Sequence, residues 1–199
     1  MGAKDNLKME ILAYMTYKTT LAAAVLFFAI PVFAQQTAAP APAPKIEPNP
    51  ISNHLRSDLA ESAKNMVAAA EEMPADKYSF RPTPQQMAFA HLIVHATMGN
   101  YFFCSKLSGA ARPDVKLADA DGKDKLVAAL KDSYGFCTTN IANVDDSNLG
   151  ETLPFFGGRT ISRGGMMMTV SAEFADHYSM AAMYLRLNGL LPPTAKKEN

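Results

Sequence analysis

Between Pro50 and Pro192 the apolar residues recur at helical spacing in four separate stretches, three of them closed by residues that helices tolerate poorly. The first begins after Pro50, with Ser52 or Asn53 as its expected N-cap. It carries Leu55, Leu59, Met66, Ala70 and Met73 on one stripe and stops at Pro74. The second is expected to start near Pro84, a residue suited to a first helical turn, with Thr83 as its cap. It passes through Met87, Leu92, Val94, Met98 and Phe102 to about Leu107, before Gly109 and Pro113. The third covers about 123–142 on a stripe of Leu126, Leu130, Tyr134, Cys137 and Ile141. The fourth covers about 163–187, with Asn188-Gly189 as a stop and Pro192-Pro193 preventing continuation. Between the last two, Leu153 to Ile161 suggests a small hairpin turning at Gly157-Gly158, although Pro154 weakens the strand pattern. No repeat is visible, and the expected fold is an all-α four-helix bundle.

The residues before this bundle read differently. Lys18 precedes the apolar run Leu21 to Ile30, and Val32-Phe33-Ala34 closes it with small residues at the two positions a signal peptidase reads. The run is shorter than the ~20 residues that span a bilayer. Residues 1–34 are therefore expected to be a signal peptide, with a retained anchor as the alternative and Met15 as a second plausible start. Residues 35–50 alternate proline with alanine and form an extended linker that cannot pack a core. The expected organisation is signal 1–34, linker 35–50 and domain 51–199. The expected location is the periplasm or the exterior, with no stable membrane span after cleavage.

Lys plus Arg and Asp plus Glu both number 19, so the chain lacks the basic excess of a sequence-independent nucleic-acid binder. Two cysteines are too few for a disulfide-dense scaffold or a four-cysteine zinc site. Export favours pairing of Cys104 with Cys137. Antiparallel neighbours argue against it, since Cys137 would lie roughly 20 Å along the axis from the shared end, beyond the ~7 Å limit between Cα atoms. The disulfide stays open on these grounds.

Bundle interiors build metal sites from inward side chains of neighbouring helices. Glu173 and His177 are spaced i, i+4 on the fourth helix, which puts a carboxylate and an imidazole on one face. His91 and His95 share that spacing on the second helix, and one or both complete a three-ligand set. Each histidine reads equally well as a hydrogen-bonded core or surface residue, and spacing alone leaves metal binding open. His54 reads as a surface or capping residue, and Met166-Met167-Met168 as core filling. Asp176 points about 100° away from His177 on the helix and takes no supporting role. No Ser-His-Asp arrangement or glycine-rich phosphate loop is present.

Asn100 to Ser105 after His95, Asp176-His177-Tyr178, and Tyr184 to Pro193 together resemble the DinB-like superfamily, closest to its exported branch. Met73 to Pro84 fits the same pattern, so the likeness covers nearly all of 51–195. The resemblance implies a four-helix bundle holding a divalent metal through one histidine of helix two and a His-x-x-x-His pair of helix four. It places His95 at the helix-two position and His177 at the second helix-four position, while Glu173 stands where the first histidine belongs. Two histidines and a carboxylate suit zinc, nickel, manganese or iron. Glu173 then either retunes the site or marks its loss, and His91 is a substitute ligand one turn from His95. The implied function is an exported metal-dependent transferase or hydrolase of a small molecule. The alternative is a non-catalytic bundle that binds a ligand or partner. A homodimer is compatible with either.

Overall fold

The computed structural model describes residues 45–196. The expected signal peptide and most of the linker lie outside the described residues. Four helices, α1 Pro50–Glu72, α2 Phe89–Ser108, α3 Lys123–Asn140 and α4 Arg163–Leu187, enclose one core. Leu55, Leu59 and Met66 of α1, Leu92, Ile93 and Leu107 of α2, Leu126 and Leu130 of α3, and Met166, Val170 and Leu185 of α4 are its buried stripe. Met166 and Met167 fill the core as expected, whereas Met168 points out and is 68% exposed. Among the described residues no helix is long and apolar enough to cross a membrane.

The helices do not simply alternate in direction. The 109–122 connection returns along α2 from its end to its start, where Asp119 meets His91 in the first turn of that helix. Consequently α3 runs parallel to α2. Asn100 faces Ser133 and Cys104 faces Cys137, both pairs 33 residues apart in sequence. Tyr184 near the end of α4 donates its hydroxyl to the carbonyl of Met87, just before α2, so α4 runs antiparallel to α2. Arg163 at the start of α4 makes the matching contact, donating to the carbonyl of Leu107 near the end of α2 and pairing with Glu151 at 2.7 Å.

This topology corrects the antiparallel assumption behind the cysteine argument. Cys104 and Cys137 form a disulfide with Cα atoms 5.2 Å apart. Beside it, a buried polar layer joins three helices: Ser62 with the Tyr134 hydroxyl at 2.7 Å, and Asn100 donating to Ser133 at 3.0 Å.

Two helix starts differ from the sequence expectation. For α1 the cap is Asn49 rather than Ser52 or Asn53, and its side chain does not cap locally. Instead Asp146, from the loop after α3, accepts the N–H groups of Ile51 and Ser52, both at 2.9 Å. Asn49 Oδ1 accepts the Asp146 N–H at 3.2 Å in return. Asn49 adopts φ 55°, a left-handed conformation that asparagine tolerates better than most side chains.

Helix α2 begins at Phe89 and not near Pro84, because the amides of Phe89 and Ala90 find acceptors in the carbonyls of Phe80 and Tyr78, at 2.9 and 2.8 Å. A helix needs outside acceptors for its first N–H groups, and the incoming turn supplies them here. Pro84 sits in the turn that Gln86 closes on Thr83.

The expected hairpin is present. β1 Thr152–Pro154 pairs antiparallel with β2 Thr160–Ser162, Leu153 opposite Ile161. Gly157 and Gly158, at φ 64° and 72°, make the turn in a conformation other residues enter at a cost. Ser162 then caps α4, accepting from Gly165 N at 3.1 Å.

Candidate functional site

Positions 173 and 177 of α4 lie one helical turn apart and face α2 at the level of His95. The three side chains converge: one ligand atom from each of His95, Glu173 and His177 lies within 4.8 Å of the others. His177 Nε2 stands 3.4 Å from Glu173 Oε2, and the two imidazoles meet edge to face at 5.0 Å between centroids. A tetrahedral ion with bonds of ~2.1 Å separates its ligand atoms by roughly 3.4 Å, so this donor set and spacing suit a divalent cation.

His177 is only 4% exposed. Burial pushes its imidazole down to about 4, the neighbouring His95 acts in the same direction, and Asp176 opposes both. Near neutral pH His177 is therefore uncharged and keeps a lone pair for coordination. His95 is exposed and Glu173 half-buried, so the cluster opens to solvent on one side.

His91 does not join them. It is half exposed, and its Nδ1 lies 3.0 Å from Asp119 in the connection that returns along α2. Its ligand atoms do not converge with those of His95, Glu173 and His177, and its ring is turned to Asp119, so its expected role as substitute ligand is not supported by its position. His54 lies on the surface beside Asp58, at 3.5 Å.

The cluster forms one end of a cleft of about 250 Å³. Its wall is aromatic: Phe102 stacks on Phe156 at 4.2 Å and 16°, and Phe103 meets Phe156 edge-on at 5.9 Å. Arg112 also lines this cleft, its guanidinium 6.0 Å from the Phe102 ring centre. Sequence reasoning did not single out Arg112 or Phe156. The available signal was weak, namely a phenylalanine before a Gly-Gly pair and an arginine in a long connection.

A family model described as the DinB superfamily matches residues 58–181. Among solved structures, a DinB-like protein of Bacillus subtilis is 17% identical, with a TM-score of 0.58, covering 73% of this chain and 100% of that one. A member of the DinB family from Exiguobacterium sibiricum is 16% identical, with a TM-score of 0.55, covering 72% of this chain and 95% of that one. A mycothiol-dependent maleylpyruvate isomerase is 11% identical, with a TM-score of 0.52, covering 64% of this chain and 59% of that one. At these identities the likeness is one of fold. No curated protein matches the chain.

Proposed function

The chain belongs to the DinB superfamily, and from that membership we propose that it is an exported, divalent-metal-dependent enzyme acting on a small molecule, with His95, Glu173 and His177 as the metal ligands. The observation that carries this reading is the convergence of the three side chains, brought from two helices onto one point beside an open cleft. A divalent ion held there would supply Lewis-acid chemistry, polarising a substrate oxygen or lowering the pKa of a bound water. Three protein ligands leave coordination positions for that purpose.

The remaining roles fall to the chain itself. His177 enters uncharged because it is buried, and Glu173 brings the one acidic group of the cluster. Phe102 and Phe156 offer flat apolar surface to a substrate body, and Arg112 suits an anionic group on it. One structural neighbour is an isomerase by name, which supports enzymatic chemistry on this fold. Its thiol cofactor is not carried over. Transferase or hydrolase chemistry is the class proposed here.

Export from a signal at 1–34, through a linker at 35–50 to the domain at 51–199, is part of the same proposal. It is supported by the small-x-small pattern at Val32-Phe33-Ala34 and by the Cys104–Cys137 bridge, since such bridges persist in oxidising compartments.

Elemental analysis of tag-free protein tests the metal. The expected result is about one equivalent of zinc, nickel, manganese or iron, lost in a His95→Ala/His177→Ala variant that keeps its helical circular dichroism. Absence of metal in the wild type after incubation with each ion would overturn the reading in favour of a ligand-binding bundle.

A further inference from the structure

A second cleft, of about 480 Å³, opens on the other side of α4, where that helix packs against α1. Positions 171, 174, 175 and 178 of α4 line it, about a third of a turn around the helix from Glu173 and His177. Deep in it lies Asn65. Its side chain is nine-tenths buried, at 7% exposure, and among the described residues it makes no hydrogen bond. Among the described residues no fully enclosed side-chain nitrogen or oxygen lacks a partner, so the Asn65 amide reaches the cleft itself. A polar side chain this deep, without a protein partner, is served only by what enters the cleft.

The other groups define the partner's charge. Asp58 and Glu61 both line the cleft, with His54 3.5 Å from Asp58 at its edge, and among the described residues no lysine or arginine does. His54, Asp58 and Glu61 do not bring three ligand atoms close enough to share one ion. Among the described residues the single group of three His, Cys, Asp or Glu close enough to share an ion is the one on the far side of α4. The aromatic lining of Phe174 and Tyr178 suits an organic cation better than a metal ion. Phe174 and Tyr178 supply the apolar surface. The Tyr178 hydroxyl is already engaged by Thr194, with its Oγ1 at 2.8 Å and its N–H donating at 3.0 Å, so the cleft is offered the ring.

We propose that this cleft binds a small organic ammonium ion, its N–H groups donating to Asp58, Glu61 and the Asn65 carbonyl oxygen and its apolar body lying on Phe174 and Tyr178. The pairing rests on charge-assisted hydrogen bonds and on the attraction of a cation for aromatic faces. It is independent of the metal reading.

Amide-resolved NMR of the full chain, titrated with phenethylamine hydrochloride, tests it. Saturable shifts are expected at 58–65 and 171–178, with 2-phenylethanol and 3-phenylpropanoate producing none at equal concentration. Asp58→Asn/Glu61→Gln should weaken phenethylammonium binding about tenfold or more, the loss of a charge-assisted hydrogen bond. Glu173→Gln, across the helix, should leave it unchanged. Equal binding of the alcohol or the carboxylate, shifts centred on 95–112, an unchanged affinity in the double variant, or no saturation by roughly 10 mM would each overturn the proposal.

Discussion

Cys104 and Cys137 stand at the same height on two parallel helices, their Cα atoms 5.2 Å apart and 33 residues separated in sequence. The 109–122 connection makes this possible by running the length of α2 before α3 begins. The bridge therefore closes a loop that includes the whole return segment. Closing a loop of this length stabilises the fold by about 3–4 kcal/mol in the chain-entropy model. Cys104→Ala/Cys137→Ala should lose stability on that order, measured by urea unfolding, and reduction of the wild type should approach the same value. An unchanged midpoint would show that the return segment is already constrained by its packing.

Asp146 and Asn49 cap α1 from a distance that no sequence window spans. Desolvation pushes the Asp146 carboxyl up, but the Ile51 and Ser52 N–H groups and the Ser52 hydroxyl outweigh it and hold the group below the usual aspartate range. A carboxyl depressed on folding adds stability that is complete above its unfolded value, near 3.9. That stability is lost as pH falls through the folded value. Asp146→Ala should lower Tm at pH 7, and the gap from wild type should narrow as the solution is brought below about pH 3.5. A gap that stays constant with pH would mean the loop geometry, not the carboxylate, does the capping.

Tyr134 joins α3 to Ser62 of α1 inside the core, and burial pushes its phenol up to about 12. Removing only its hydroxyl leaves Ser62 without that partner. Tyr134→Phe should therefore cost about 1 kcal/mol, read from the urea midpoint with m unchanged. The Tyr134→Phe/Ser62→Ala pair should recover part of it, since the lone hydroxyl is then gone as well. A double variant no more stable than the single would show that the hydroxyl pair contributes little.

Glu173 separates the two readings of the metal cluster. If it is a ligand, Glu173→Ala should weaken zinc binding by more than about tenfold in competition with a chelator. Glu173→His, which restores two histidines at i, i+4 on α4, should retain it. Equal affinities across wild type and both variants would remove Glu173 from the site.

Much of this protein was legible before its structure. The apolar stripes located α3 and, together with the Asn188-Gly189 stop, α4 to its end residues Arg163 and Leu187, because helical period and stop residues are local properties. The pairing of Glu173 with His177 followed from the same local geometry. The choice of His95 over His91 did not come from spacing, which treats the two alike; it came from the family pattern, and the structure places His95 against His177 and turns His91 to Asp119.

The tertiary structure decided what depends on partners far along the chain. Helix α2 starts at Phe89 because Tyr78 and Phe80 offer carbonyls to its first amides, and α1 starts where Asp146 can receive its own. The cysteine pair forms because a long return segment makes α2 and α3 parallel, a choice of direction that helical periodicity does not encode. Arg112 meets the phenylalanine wall, and Asn65 lies deep in a second cleft, for the same reason. Periodicity tells a helix which face to bury; only the packed chain determines which other segment that face meets, and at what height.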